Sequence, residues 1–268
     1  MQTQTLATDL RQQFETDGYV IARHVLDAEL IKKTSDHIAW LLQKNPGLRP
    51  EQLHNDLVTH DAFWVRLISD ARLLDVAEKF IGPNIALFAT HYIAKPAFTG
   101  QPVLWHQDGS YWPLEPMKVV TLWLAVDDST PENGCMRVIP GMHTQKIQEH
   151  RARKDIANVL NSEMDPALVD ESKAVNVELN AGDVSIHHPN MFHGSKANLS
   201  PKRRAGLTIR YIPTSTRIVT TKQWPSAFLL RGEAVSGVNE YLPLPKYDAD
   251  KSMDFHDREA WDKRCANQ

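Results

Sequence analysis

Cysteine is scarce in this chain: there are two in 268 residues, Cys135 and Cys265, far apart and outside any C-x-x-C pair. That excludes a disulfide framework and a cysteine-rich zinc site, and it fits a reducing compartment. Long apolar runs are also missing, so no segment reads as a membrane span. The opening MQTQTLATDL has neither the basic nor the apolar block of a secretory leader, and a cytoplasmic protein is the expectation. Charge of one sign is not in excess: 30 Lys and Arg stand against 33 Asp and Glu, a formal net charge of −3. Nothing in that balance favours nucleic acid or an anionic membrane as partner. The basic run Arg151-Ala152-Arg153-Lys154 is short and reads as a solvated face. No repeat or linker divides the chain, which is long enough to bury a sizeable core as one domain.

Periodicity supplies the organisation. Leu6, Leu10 and Phe14 recur at helical spacing, so a first helix ends near Asp17-Gly18. A short strand over 19–25 follows. Asp27 is a plausible N-cap for a second helix with Ile31, Ile38, Leu41 and Leu42 inward, stopped by Asn45-Pro46-Gly47. Residues 61–80 read as one further helix, ended by Ile81-Gly82-Pro83-Asn84. Strand-like runs then dominate at 85–94, 103–107, 119–126, 136–139, 175–179, 184–188, 191–195 and 207–212. This is a mainly β chain with N-terminal helices, and the expected core is a double-stranded β-helix, the cupin-like jelly roll. We divide it into a helical part (1–84), a jelly-roll core (85–213) and a C-terminal extension (214–268). The polar, partly helical insertion at 144–174 is too long for an ordinary hairpin loop. It reads either as a lid over a pocket mouth or as a plain surface excursion. The extension carries Trp224, Phe228, Leu229 and Leu230, and either folds back over the barrel or supports a dimer.

The chemistry concentrates in Trp105-His106-Gln107-Asp108 and in His193-Gly194-Ser195. On an extended strand His106 and Asp108 project from one face and can grip one ion from one side. With His193 they make two imidazoles and a carboxylate, the facial set that suits Fe(II) and leaves positions open. Among 12 His and 33 acidic residues a lone H-x-D also arises by chance. His187 and His188, with Ser185 and His187 on one strand face and Val184, Ile186 and His188 on the other, compete with His193 for the third place. Pro189 interrupts their strand. Residues 196–202 are turn material, and Arg204 opens another strand. In a symmetric hairpin across that turn Arg204 faces His193, which would set a guanidinium suited to a carboxylate beside the metal. The plainer reading is a solvated arginine in the run Lys202-Arg203-Arg204. Lys95 and Arg210 are charged residues on strands near the site, and each is read as meeting an anionic substrate or lying on a solvated rim. Tyr92, Trp105, Tyr111 and Trp112 form either an aromatic wall for a flat substrate or ordinary packing.

These pieces occur in a fixed order with Trp123 in Thr121-Leu122-Trp123-Leu124, Glu132-Asn133-Gly134-Cys135, Pro140-Gly141-Met142-His143 and Ala181-Gly182-Asp183. The ordered set, with the opening Phe14-Glu15-Thr16-Asp17-Gly18, resembles the phytanoyl-CoA dioxygenase family of Fe(II)/2-oxoglutarate-dependent oxygenases over roughly 9–213. The resemblance implies His106, Asp108 and His193 as catalytic iron ligands and Arg204 as the residue holding the distal carboxylate of 2-oxoglutarate. It implies Ser195 as a helper of that carboxylate, and Trp123, Gln107 and His91 as neighbours of the cosubstrate. Trp123 is equally a core residue by its apolar setting. Met142 stands where the family more usually has serine in a Pro-Gly-x-His turn. The implied reaction uses O2, Fe(II) and 2-oxoglutarate, releases succinate and CO2, and oxidises a substrate C–H bond. Related halogenases have a small residue where Asp108 stands, so hydroxylation, desaturation or ring formation is expected instead. No extended basic patch favours a CoA ester, and the expected partner is a small or medium metabolite of the kind found in secondary metabolism. A monomer or homodimer is expected. Two alternatives stay open: a jelly-roll sensor that binds metal and ligand without turnover, and a non-oxidative cupin-like metalloenzyme, which would not need Arg204.

Overall fold

The computed structural model describes residues 2–267, with side chains described at 10–54 and 56–267. Helix α1 (Gln2–Asp17) ends at Gly18, whose N–H donates to Phe14 O. A Cβ at Gly18, where φ is +78°, would meet the His143 ring at 2.4 Å, so the sharp turn there requires glycine. Leu10 and Phe14 pack on the core as their spacing predicts, while the side chain of Leu6 lies outside the described residues. Helix α2 (Ala28–Lys44) starts at Asp27, whose carboxylate accepts from Leu30 N at 2.9 Å. Ile31, Ile38 and Leu41 are buried on its inner face and Leu42 is only partly so.

The single helix expected over 61–80 is two, α3 (Ala62–Ile68) and α4 (Ala71–Ile81). Two carboxylates break it. Asp61 caps α3 by accepting from Trp64 N at 3.1 Å, and Asp70 caps α4 by accepting from Arg72 N at 3.1 Å. An aspartate that binds the backbone just ahead of it favours a helix start over a helix interior.

Strand β1 (Tyr19–Ala22) lies between α1 and α2, shorter than the run 19–25, and β2 (Leu53–His54) precedes α3. The main run begins with β3 (Ile85–Lys95), β4 (Val103–His106), β5 (Leu114–Glu115), β6 (Val120–Ala125) and β7 (Met136–Val138). It continues with β8 (His150–Ala152), β9 (Ser162–Met164), β10 (Val175–Val177), β11 (Val184–His187) and β12 (His193–Ser195). The last strands are β13 (Arg204–Pro213), β14 (Arg217–Ile218) and β15 (Phe228–Arg231), before helix α5 (Arg258–Ala266). One antiparallel sheet has the order β1-β11-β6-β13-β3-β15, with β2 also paired to β3. A second has the order β10-β7-β12-β4. The two face each other as a jelly roll, and both contribute side chains to one cavity.

The period of two along the large sheet sorts its residues. Val120, Leu122 and Leu124 of β6, Val184 and Ile186 of β11, and Leu207, Ile209 and Tyr211 of β13 point outward into the main core under α2–α4. Each such side chain contributes roughly 1.5–3 kcal/mol by leaving water. The alternate residues Trp123, His187, Arg204, Thr208 and Arg210 face the cavity.

The hairpin expected between His193 and Arg204 does not form. β12 is flanked on both edges by β4 and β7, so β13 has no edge to join and pairs instead with β3 and β6 in the other sheet. The Asn198 carboxamide anchors the crossing by donating to Pro96 O at 3.0 Å and Lys202 O at 2.7 Å. The 144–174 insertion contains the β8–β9 ribbon and 3₁₀ turns rather than an α-helix. The extension folds back over the barrel: β15 joins β3, and the Trp224 ring stacks on Phe88 at 4.9 Å. Cys135 and Cys265 are free thiols. Among the described residues no helix is long and apolar enough to cross a membrane.

The Ala181-Gly182-Asp183 turn locks the start of α2. Asp183 is fully buried and accepts from His24 N at 2.8 Å, Asn180 N at 2.9 Å and Arg23 Nη1 at 2.7 Å. Burial alone would raise this carboxyl, but the His24 N–H, the Arg23 guanidinium and the Asn180 N–H outweigh it and hold it below its ordinary value. Asp183→Ala is expected to lower unfolding free energy at pH 7 by about 3 kcal/mol in urea titration. A carboxyl depressed on folding adds stability that is complete above the unfolded value of about 3.9 and is lost as pH falls through the folded one. The gap between wild type and Asp183→Asn is therefore expected to close below about pH 4.

Candidate metal centre

His106 ends β4 and His193 begins β12, and the antiparallel register makes them direct partners. Their ring centroids are 4.0 Å apart. A register shift between this pair and Val103–Ser195 marks a bulge, which turns both Val103 and His106 toward the cavity although they are three residues apart. Asp108 is not on the strand, as expected from sequence, but opens a 3₁₀ turn (Asp108–Tyr111). Gln107 between them stays extended at φ −117° and ψ 123°, and this preserves the common direction of His106 and Asp108. Asp108 Oδ1 lies 3.5 Å from His106 Nε2 and 4.0 Å from His193 Nε2. The three ligand atoms lie within 4.8 Å of one another, on buried residues, close enough to hold one metal ion.

Backbone carbonyls fix the imidazoles. His106 Nδ1 donates to Leu104 O at 2.8 Å and His193 Nδ1 to Met191 O at 2.9 Å. Carbonyls only accept, so Nδ1 carries the proton and the Nε2 lone pairs point at the common centre. Burial, then the His106 ring, pulls His193 well below its usual value, which keeps it a neutral ligand. Burial works against the Asp108 charge, but Arg210, His106 and His187 outweigh it and hold the carboxyl well below its usual range.

His187, a competitor of His193 in the sequence, faces the same cavity on the other side of Asp108: its Nε2 is 3.4 Å from Oδ2. Thr121 Oγ1 donates to the same oxygen at 3.4 Å. His188 points away and packs near Phe14 and His143.

The far wall of the cavity holds Arg204. It is 2% exposed, and among the described residues its Nε and Nη2 meet no hydrogen-bond partner. Its guanidinium lies 5.1 Å from the Trp123 ring centroid. Burial brings Arg204 down to about 10, still charged at neutral pH. A buried fork with two idle donors fits a carboxylate. Ser195 lines the cavity beside it, and its Oγ accepts from Lys95 Nζ at 2.7 Å. Lys95 is on neither a solvated rim nor the cavity wall: it is fully buried, and burial, then Arg204, brings its amine down to about 5. His91 lines the cavity and donates through Nε2 to Glu51 O at 2.8 Å; burial, then Arg210, pulls it down to about 3, so it is neutral.

Gln107 turns away from the cavity. Its carboxamide donates to Asn190 O at 2.9 Å and Lys146 O at 3.3 Å and accepts from Gln148 N at 2.7 Å. Its backbone N–H donates to His150 Nε2 at 3.0 Å. The residue between two candidate ligands is thus saturated by the insertion and the 190 turn. The aromatic wall also dissolves. Tyr92 faces the helices and is wholly buried against His37 and Trp64, Trp105 lies under Arg137, and Tyr111 bonds Ser162 of β9. What remains of it beside the cavity is Tyr111, whose ring centroid is 6.2 Å from that of His106, and Trp112 next to Arg210. The cavity, about 500 Å³ with its mouth, is otherwise lined by Ile93, Val103, Met136 and Leu160, the last from the insertion.

The chain is similar to known proteins over most of its length. The family model for phytanoyl-CoA dioxygenase (PhyH) matches residues 14–206. A probable alpha-ketoglutarate-dependent hypophosphite dioxygenase of Stutzerimonas stutzeri is 32% identical over 148 residues, 54% of this chain and 51% of that protein. An ectoine dioxygenase of Sphingopyxis alaskensis is 24% identical over 230 residues, 76% of this chain and 75% of its own. The chain therefore spans about half the length of the first relative and three-quarters of the second. Among solved structures, a non-heme monooxygenase, ThoJ in its apo form, superposes with a TM-score of 0.76 at 25% identity, covering 97% of this chain and 98% of the other.

Gly206 tests the packing that carries Arg204. A Cβ there would come 2.0 Å from Trp123 Cζ2, and the paired strands β13 and β6 leave the backbone no room to retreat. Gly206→Ala is expected to displace the indole, cost about 1–3 kcal/mol in denaturant unfolding, and alter the near-ultraviolet circular dichroism of the tryptophans.

Proposed function

The chain belongs to the phytanoyl-CoA dioxygenase family, and from that premise we propose that it is a non-haem iron oxygenase. It couples oxidative decarboxylation of 2-oxoglutarate, to succinate and CO2, with hydroxylation of a small or medium metabolite. One observation carries the reading: the buried Arg204, with two idle N–H groups, shares a cavity with His106, Asp108 and His193. A non-oxidative cupin-like metalloenzyme has no use for a second, carboxylate-shaped anchor at that place. The names of the two relatives, which act on hypophosphite and ectoine, agree with a small substrate.

Each side chain has a task. His106, Asp108 and His193 would hold Fe(II) through their converging ligand atoms. Arg204 takes the distal carboxylate of 2-oxoglutarate in its fork, and Ser195 offers a hydroxyl to the same group. Trp123 packs against the Arg204 guanidinium, and neutral His91 adds a polar edge without adding charge. Bound iron and 2-oxoglutarate supply the oxidising power that no side chain has. The protein contributes fixed ligands, an ionised Asp108 and a cavity from which water is largely kept out. Asp108 also puts a carboxylate where related halogenases have a small residue, which favours hydroxylation over halogenation. The 144–174 insertion, through Leu160 and the Tyr111–Ser162 bond, serves as the cover of the mouth.

Under anaerobic conditions, ferrous iron and 2-oxoglutarate are expected to give a visible charge-transfer band. His106→Ala should abolish it, and Arg204→Leu should raise the cosubstrate needed by at least about tenfold. Iron bound without the band would overturn the reading in favour of a sensor or a non-oxidative enzyme. Excising the β8–β9 ribbon should raise the succinate formed in the absence of substrate; unchanged succinate would leave the insertion a surface excursion.

A further inference from the structure

Arg204 is one of two arginines in the cavity. Arg210 lies six residues on, on the same face of β13, and at about 3.3 Å per residue the two Cα atoms are roughly 20 Å apart. The two side chains reach opposite sides of the metal ligands. Arg204 stands with Trp123 and Ser195, whereas Arg210 Nη2 is 3.9 Å from Asp108 Oδ1. A five-carbon dicarboxylate held by Arg204 is much too short for its distal end to be shared with Arg210.

Among the described residues the fold satisfies Arg210 only in part, by an ion pair to Asp108. The 3.9 Å to Asp108 is an ion-pair distance and too long for a hydrogen bond. Asp108 is already approached by His106, His187 and Thr121. Among the described residues Arg210 Nε has no partner at all. The guanidinium lies 5.4 Å from the Trp112 ring centroid, and Trp112 in turn packs edge-on against Phe88, so the fork is held in one orientation. A largely buried guanidinium with an unpartnered Nε and one ion-pair neighbour has room for a further anion.

Charge balance agrees. Asp108 is the only carboxylate among the described residues lining the cavity, against two arginines. With a divalent metal and a doubly charged cosubstrate in place, one positive charge remains uncompensated, and it lies on the Arg210 side.

We infer that Arg210 is a specificity residue that binds an oxoanion of the substrate, a carboxylate or a phosphorus oxyanion, on the side of the metal away from Arg204. The inference rests on the iron and 2-oxoglutarate reading and narrows its substrate class to small anionic molecules. The paired anion fixes one end of the substrate, so the C–H bond presented to the metal is one near that anionic group.

The test is calorimetric titration of the anaerobic Fe(II)–2-oxoglutarate protein with butyrate, butylphosphonate and the uncharged butyramide. At least one anion is expected to bind tenfold or more tightly than butyramide, and the better anion identifies the oxoanion. Arg210→Gln should erase that preference while changing the 2-oxoglutarate requirement of the charge-transfer band by less than threefold. Should Arg210→Gln fail to fold by circular dichroism, Arg210→Lys carries the test, with anion binding at least threefold weaker because the planar fork is gone. Anions that bind no better than butyramide, a preference that survives the substitution, or a tenfold rise in the 2-oxoglutarate requirement would each overturn the inference. A wild-type protein without the band fails the oxygenase reading itself; a band with flat anion titrations fails only the role of Arg210.

Discussion

The cavity is organised by one stretch of backbone ladder, the antiparallel pairing of β12 with β4 that sets His193 beside His106. Side-chain packing alone would leave two imidazoles free to rotate. Here the ladder fixes their Cα positions, and the Leu104 and Met191 carbonyls fix their ring planes. Asp108 follows because Gln107 is held extended by His150, Lys146, Gln148 and Asn190. The donor set is thus positioned by hydrogen bonds within the protein itself.

The two sheets divide the chemistry. The small sheet and the turn after it carry the three ligands, and the large sheet carries Arg204, Arg210, Trp123, His91 and His187. Alternation along β13 accounts for this: every second residue is free to be polar because the residues between them, Leu207, Ile209 and Tyr211, supply the core. A single buried carboxylate then stands among cationic and imidazole groups, and the excess positive charge marks where anions are welcome.

Much of this was legible in the chain. Asp27, Gly18 and the Asn45-Pro46 stop act through local backbone chemistry, so their effect is visible in sequence. The H-x-D pair with a distant His-x-Ser and Arg was legible as an ordered set. What failed was non-local. Period two tells which residues share a face but not which sheet a strand joins, so His193 and Arg204 were set in one hairpin although their strands lie in opposite sheets. Both still line the same cavity, from opposite sheets. The family resemblance implied Gln107 as a neighbour of the cosubstrate, but its partners come from 146–148 and 190, which no local pattern announces. Lys95 looked like a rim residue because burial of an amine depends on acceptors at Ser195 and Lys196, a hundred residues away. His187 offered one signal, its place on the face opposite Val184 and Ile186, and that signal was right.

The extension has a consequence for the large sheet itself. The edge of β3 away from β13 would otherwise be an open row of backbone donors and acceptors. β15 closes it at Ile85–Leu87, and β2 closes it at His91 and Tyr92. Between them Phe88 O is occupied by Trp224 Nε1 and Ser226 Oγ at 2.7 and 2.6 Å. Two distant parts of the chain therefore act as selvedges on the longest strand, and a nascent barrel that has not yet received its tail presents a sticky hem to other copies of itself. Protection of that edge is bound up with the last fifth of the molecule, which supplies none of the three candidate metal ligands.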